Sequence, residues 1–330
     1  MNVMLLAAGE GTRLRPYTLT LPKPAIPFLN VPLAAHSLSF LHGVDVDKLV
    51  VNTYHLPSKI HELFKSLPHP AKELHFSDEA GEILGSGGGL GKARSHFLGG
   101  GDFVMMNADE IILPRDSEVM KKAQAQHKKN QNIATIMVMD HPGVGTQFGG
   151  VWTDANNKVL GFGKTPLPGA VKAWHFIGVQ FLSEKVFSFI PQEGPSNILY
   201  DSLVAAITQG FRVEAFPFEC QWFETGNPQD FLEATQACLE ILKSGQSPAK
   251  ECLARTLAQY HGTSEVTSVS QADVLNNSKS LIPTSAKISG FVCLSEGAKL
   301  PASCELQNVI VGKNVVIPEG TKTQDTLILS

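Results

Sequence analysis

No CxxC pair occurs anywhere in this chain. Its five cysteines, Cys220, Cys238, Cys252, Cys293 and Cys304, are scattered and odd in number, which argues against a zinc site or a disulfide framework and for a reducing compartment. Nor does any stretch reach the roughly 18 consecutive apolar residues of a membrane span. The apolar run from Val3 to Ala8 is too short for a signal peptide and lacks its basic flank, so the cytoplasm is the expected compartment and a membrane is not an expected partner. Charge is sparse too: 18% of residues carry it, the net is −4, and no basic stripe is offered to nucleic acid. A convincing Ser-His-Asp or Cys-His arrangement is also missing. Two familiar phosphate motifs fail as well. Leu14 stands where GxGxxG needs its third glycine, and GSGGGLGKA has Ser86 and Ala93 where a P-loop needs Gly and Ser/Thr.

What is present is ordinary globular material, 330 residues with 43% hydrophobic, enough for one large domain and a smaller one. The run from Val3 to Ala8 reads as a buried strand. A helix follows between Pro32 and Gly43, then a strand from Lys48 to Thr53. Ile60, Leu63, Phe64 and Leu67 fall at helical spacing, and a short strand covers Leu74 to Phe76. Alternating strands and helices predict a parallel α/β sheet, whose ligands gather at the carboxyl ends of its strands.

Four loops can be tested against that rule. After the first strand come Gly9, Gly11, Thr12 and Arg13, with Lys23 fixed between Pro22 and Pro24. Glycines permit close approach, hydroxyl and N–H groups donate, and an arginine fork fits phosphate oxygens, although a solvated glycine turn looks similar. In ILGSGGGLGKA, residues 83–93, the crowded glycines disfavour a helix interior. They signal either close backbone approach to something flat or charged, or a flexible surface loop. The strand FVMMNAD ends on Asp109, which is placed either to hold Mg²⁺ or to cap the next helix. In WFETGNP, Asn227 and Pro228 start a helix from Gln229 to Leu242. Between these loops the pattern predicts a helix from about Asp116 to Lys129 and a strand from Ile133 to Met139. A hairpin over Phe148–Val151 and Lys158–Phe162 follows, then a strand from Val171 to Phe181, a helix capped by Ser196 and stopped by Gly210, and a strand from Phe211 to Phe216.

The string LAAGEGTRLRPYTLTLPKPAIPF closely resembles the opening signature of the sugar-1-phosphate nucleotidyltransferases, the nucleotide-sugar pyrophosphorylases. The resemblance implies a Rossmann-like, mixed but mainly parallel α/β sheet flanked by helices, and transfer of a nucleotidyl group from an NTP to a sugar 1-phosphate with Mg²⁺. It further implies that Arg13 and Lys23 are catalytic. Ala8, Gly9, Gly11 and Thr12 would cradle the triphosphate, and Leu84, Gly85, Ser86 and Gly87 would read the base. Gly150, Lys164 and Gly178 would face the sugar phosphate, and Asp109 and Glu224 would hold the metal. Three positions depart from the family pattern: Ala108 precedes Asp109 in place of glycine, Glu224 replaces an aspartate, and Gly163 replaces the glutamate that holds sugar hydroxyls. Among members, the chain looks most like the mannose-1-phosphate guanylyltransferases, with GTP as the expected nucleotide. Uridylyl or other transfer to heptose, N-acetylmuramate or glucose 1-phosphate is the alternative. A catalytically silent nucleotide-sugar-binding regulatory subunit is another, motivated by Glu224 and Gly163; the intact Arg13, Lys23 and Asp109 argue against it.

Beyond Leu242 the sequence turns polar. Ile288, Val292, Leu294, Leu300, Val309, Val311, Val315, Ile317 and Leu327 then recur among small residues at roughly six-residue intervals, the pattern of a hexapeptide-repeat parallel β-helix, with unrelated edge strands as the alternative. The expected division is a catalytic domain over 1–242, a linker or helical segment over 243–280 and a short left-handed β-helix over 281–330, capping the main domain or mediating homo-oligomerisation.

Overall fold

The structure is a computed structural model that describes residues 1–329. Strand β1 (Asn2–Leu6) buries Val3, Met4 and Leu5 completely, as an uninterrupted apolar run at a sheet centre must. The two-residue strands β2 (Pro27–Phe28) and β3 (Val31–Pro32) make a small ribbon leading into helix α1 (Leu33–Ser39). Strand β4 (Val46–Thr53), helix α2 (Pro57–Ser66) and strand β5 (Ala71–Asp78) follow, and the predicted stripe on α2 buries Ile60 and Phe64. After helix α3 (Gly85–Lys92) come β6 (Phe103–Asn107), β7 (Ile111–Pro114), α4 (Val119–Lys129) and β8 (Ala134–Met139).

The hairpin β9 (Gly150–Thr153) and β10 (Val159–Gly163) precedes the long strand β11 (Lys172–Leu182). Helix α5 (Val204–Thr208), β12 (Val213–Pro217), β13 (Cys220–Phe223), α6 (Pro228–Lys243) and α7 (Pro248–Gln259) complete the larger part. Nine strands form one sheet. β5, β4, β1 and β6 lie side by side in parallel, β11 returns antiparallel to β6, and β8 with its parallel neighbour β12 extends the far side. β11 changes partners along its length, pairing with β9 first and β6 later, and its register against β8 shifts between Phe176 and Gln180. Gly178, at φ +78°, sits in that bulge.

Two local expectations are corrected. Gly85–Lys92 is a helix, not a loop. Its glycines are there for protein packing: a Cβ on Gly88 would lie 2.6 Å from the Gly194 carbonyl oxygen, and one on Gly87 would lie 2.6 Å from Ser196 Oγ. The glycines do allow close backbone approach, and for Gly87 and Gly88 the neighbour is the segment 194–198. Ser196 in turn is not a helix cap. Its carbonyl accepts the Gly87 and Gly88 N–H groups, while Asn197 Oδ1 caps the following turn by accepting from Leu199 and Tyr200.

The segment after α6 is short and ordered, for Ser247 Oγ already accepts the Lys250 N–H at the start of α7, which buries Leu253 and Leu257. Strand β14 (Val266–Val269) pairs antiparallel with β15 (Gln271–Asn276). Strands β16 (Lys287–Leu294), β17 (Cys304–Val311) and β18 (Thr321–Ile328) then add in parallel, each residue facing one 17 or 18 further along. This sheet thus begins ahead of residue 281. Its side chains alternate as a strand requires: Val309 and Val311 fill its own interior, whereas Ile310 joins Leu275, Phe291 and Leu327 in the core of the larger part. Tyr17 Oη, on the loop after β1, hydrogen-bonds Thr326 Oγ1 of β18 at 2.9 Å. No helix among the described residues is long and apolar enough to cross a membrane.

Candidate active site

β1, β4 and β6 end on one edge of the sheet, and there a cavity of about 420 Å³ opens. Ala7 and Ala8 reach it from β1, Asn52 from β4, and Asn107 and Asp109 from β6 and its loop. Gly9, Gly11, Thr12, Arg13, Lys23 and Pro24 form one wall, Ile83, Gly85 and Ser86 another, and Gly226 contributes from the loop before α6. This is the carboxyl edge of a parallel sheet, where ligands are expected.

The wall after β1 is held in shape from within. Gly11 is left-handed at φ +60°, and a Cβ there would come 2.9 Å from Thr18 Cγ2. Thr18 Oγ1 and the Leu14 N–H both donate to the Gly11 carbonyl at 2.9 Å. Below it, the Ala7 N–H donates to Asn52 Oδ1 (2.8 Å), Asn52 Nδ2 donates to Glu79 Oε1 (2.7 Å), and Glu79 Oε2 accepts the Leu84 N–H (2.7 Å). Asn52 and Glu79 are buried, so this chain of bonds fixes the spacing between the glycine loop and the start of α3.

Two ion pairs stand at the cavity: Lys23, Asp109 and Arg13 line it, and Glu224 meets it through Arg13. Lys23 Nζ lies 2.6 Å from Asp109 Oδ2, and Arg13 Nη2 lies 3.8 Å from Glu224 Oε1. Glu224 thus has Arg13 as its ion-pair partner. Its loop is brought to Asp109 by the antiparallel pairing of β13 with β7 and by Thr225 Oγ1, which donates to the Asp109 carbonyl at 3.2 Å. Gly226 leaves room for the second pair: a Cβ there would sit 2.3 Å from Glu224 Oε1 and 2.4 Å from Arg13 Nη2. Among the described residues no cluster of three or more His, Cys, Asp or Glu forms a metal cage. Two carboxylates flanking a phosphate-sized cavity nevertheless suit Mg²⁺, which takes one or two carboxylates and completes its shell with phosphate oxygens and water.

Not every expected residue lines this cavity. Leu84 and Gly87 are turned to the 194–198 segment, with the Leu84 carbonyl accepting the Ser196 N–H at 3.0 Å. Gly150 is buried in β9 against Ala173 and Val144, and Lys164 is exposed beyond β10. Gly178 stands behind the wall, where a Cβ would meet Glu110 Oε1 at 2.4 Å and Asn107 Nδ2 at 2.8 Å.

Asn52 and Asn107 were missed, yet each is a polar residue at the end of an apolar parallel strand, the same signal that picked out Asp109. Glu110 carried no such signal. Its carboxylate accepts from Trp222 Nε1 (2.7 Å) and Asn107 Nδ2 (2.8 Å), and burial, followed by the adjacent Asp109 charge, raises its pKa.

With this geometry in place, comparison with known proteins identifies the class. Residues 2–241 match the family model described as Nucleotidyl transferase. The chain is 30% identical over 263 residues to a UTP–glucose-1-phosphate uridylyltransferase of Synechocystis sp., covering 76% of this chain and 67% of that one. It is 28% identical to mannose-1-phosphate guanylyltransferase 1 of Arabidopsis thaliana, covering 76% and 68%. A probable mannose-1-phosphate guanylyltransferase 3 of Oryza sativa subsp. japonica aligns with 100% of this chain and 80% of its own length at 25% identity. The chain belongs to the nucleotidyl transferase family, and these relatives are sugar-1-phosphate nucleotidyltransferases. The fold is shared with solved UDP-glucose pyrophosphorylases. One in complex with UDP-glucose has a TM-score of 0.58 at 16% identity, covering 72% of this chain and 98% of that one. Another, from Acinetobacter baumanii, has 0.59 at 18%, covering 78% and 98%.

Proposed function

We propose that this protein transfers a nucleotidyl group from an NTP to a sugar 1-phosphate. A phosphate oxygen of the sugar attacks the α-phosphorus in line and pyrophosphate leaves. The observation that supports this best is the pair of ion pairs at the cavity, Lys23 with Asp109 and Arg13 with Glu224. Each cation is held within reach of the polyphosphate by a carboxylate that it exchanges for phosphate on binding. Catalysis is then positioning and charge neutralisation, with no covalent intermediate.

In this reading Ala8, Gly9, Gly11 and Thr12 offer the triphosphate their backbone and hydroxyl groups, and Arg13 stabilises the leaving pyrophosphate. Lys23 meets the charge that builds on the α-phosphate. Gly85 and Ser86, with Leu84 and Gly87 behind them, shape the base end. Gly150, Lys164 and Gly178 belong to the sugar-phosphate side. Asp109 and Glu224 would hold Mg²⁺, which when bound supplies charge to the α-phosphate and the attacking oxygen. We assign the chemistry to residues 1–242 and read the C-terminal strands as a short left-handed β-helix that caps it, a reading supported by their repeat of 17 or 18 residues. The cytoplasm is the proposed compartment, a reading supported by the scattered, unpaired cysteines.

GTP with mannose 1-phosphate is the first substrate pair to test, and the uridylyltransferase relative makes UTP with glucose 1-phosphate the second. Pyrophosphate release from a panel of NTPs and sugar 1-phosphates, with and without Mg²⁺, tests the assignment. No release from any combination would overturn it.

A further inference from the structure

His175, on β11, is buried to 5% exposure, and neither of its ring nitrogens has a hydrogen-bond partner. A buried imidazole with both nitrogens unpaired costs the fold free energy that a carbon ring of the same shape would not. Other buried polar atoms also lack a partner, but among the described residues this is the one buried ring with both nitrogens unpartnered, and it calls for a reason. Its surroundings supply one. The ring packs at 4.3 Å from Trp222, 4.7 Å from Phe148 and 5.2 Å from His141, measured between centroids. Trp222 donates to Glu110, Glu110 accepts from Asn107, and Asn107 lines the nucleotide cavity. The aromatic box is therefore one hydrogen-bonded relay from the proposed reaction centre. It lies on the β11 side of β6, away from α3.

The cover of the box is lightly attached. Residues 141–148 carry His141 and Phe148, and the hydrogen bonds of this segment close on itself: Val144 to His141, Phe148 to Gly143, Gly145 to Phe148, and Gly143 to the His141 ring. It is held down by packing alone, through its two rings and through Val144, which lies against Gly150, and lifting it breaks no hydrogen bond to the rest of the chain among the described residues.

We propose that His175 is a specificity-determining residue that hydrogen-bonds a hydroxyl of the sugar 1-phosphate once the 141–148 cover lifts, with the sugar ring lying against Trp222. The inference rests on the function proposed above. A hydroxyl both donates and accepts, and so does a neutral imidazole. Burial, with the His141 charge adding to it, lowers the His175 pKa to about 4 and keeps the ring neutral near pH 7. A flat apolar surface with one convergent polar group is also how small polar ligands are commonly fixed.

The test is His175→Phe, which keeps the ring and removes both nitrogens. KM for glucose 1-phosphate or mannose 1-phosphate, whichever the wild type uses, should rise about tenfold, the loss of one neutral hydrogen bond. KM for the NTP should stay within about twofold, and the thermal midpoint should hold or rise, since no unpaired nitrogen is left buried. His175→Gln, which restores a donor and an acceptor, should recover part of the affinity. An unchanged sugar-phosphate KM in His175→Phe overturns the proposal. As a readout independent of folding and of turnover, the imidazole ¹⁵N shifts of wild-type His175 should move on adding either sugar 1-phosphate and stay put with NTP alone; shifts unmoved by both sugar phosphates overturn it as well. A wild type that turned over no substrate yet showed the imidazole response would overturn the proposed reaction while leaving the His175 contact standing.

Discussion

Lys23 Nζ and Asp109 Oδ2, both lining the cavity, stand 2.6 Å apart and join the first loop of the chain to the end of β6. The lysine side chain is 13% exposed and the aspartate 29%, so the pair is partly withdrawn from water and screened less than a surface pair. In the proposed reaction it keeps the cation ready for the α-phosphate and the carboxylate ready for the metal. Lys23→Ala should lower kcat by about 10² to 10³, the range seen when one preorganised transition-state donor is lost, and change the KM for NTP far less. Steady-state kinetics decide it; a variant with near-normal kcat removes Lys23 from the mechanism.

Asp109→Asn tests the proposed hold of that carboxylate on Mg²⁺ beside its ion pair with Lys23. The amide cannot ion-pair with Lys23 and is a poor ligand for Mg²⁺. Activity should be lost at every Mg²⁺ concentration, whereas NTP binding measured without metal should weaken by no more than a few fold. Metal-dependent turnover at the wild-type rate would show that the metal sits elsewhere.

Gly226→Ala addresses the other pair. The added methyl falls on the mobile ends of Glu224 and Arg13, which can swing away, so the thermal midpoint should change little. The 3.8 Å contact between them should not survive. KM for the NTP should rise and kcat should fall together, without loss of folded protein by circular dichroism.

The lining of the candidate cavity was legible in the sequence where its signals are local. Gly9 to Lys23 is one continuous strand-to-loop passage, and Asp109 closes an apolar run, so pattern and chemistry coincide within a few residues. The pairing of Arg13 with Glu224 has no local signal, because β7 and β13 create it by bringing distant segments together. The helix at Gly85–Lys92 was unreadable for the same reason: glycine disfavours a helix, and only contact with residues 194–198 reverses that preference. The C-terminal repeat was visible as periodic apolar residues. That alternate residues of its strands serve the main core follows from how the sheet docks, which periodicity does not record.

Those α3 glycines give a prediction in which two known effects oppose. In an ordinary helix interior Gly→Ala stabilises by about 1 kcal/mol. At Gly88 the new methyl would lie 2.6 Å from a backbone oxygen of Gly194, which cannot rotate away as a side chain can. Overpacking of this kind costs about 1–3 kcal/mol, so it outweighs the propensity gain. Gly88→Ala should lower the urea midpoint, and a rise would mean that the 194–198 segment yields freely.

Acid stability should depend on buried histidines. His36 is enclosed beneath Phe28, with only the Phe28 carbonyl as hydrogen-bond partner at 3.2 Å, and burial lowers its pKa to about 4; His175 is lowered to about 4 as well. Both stay neutral in the fold while the unfolded chain takes up protons near pH 6.5, so the unfolded state binds more protons between about pH 6.5 and 4. Stability should accordingly be full above pH 6.5 and fall as the pH drops towards 4, by on the order of 3 kcal/mol for each residue. Thermal midpoints measured across that window should decline. In His175→Phe the decline should be shallower, because one of the buried histidines that must stay neutral is gone. An identical slope in wild type and variant would mean that the imidazole at position 175 titrates alike in the folded and unfolded chains.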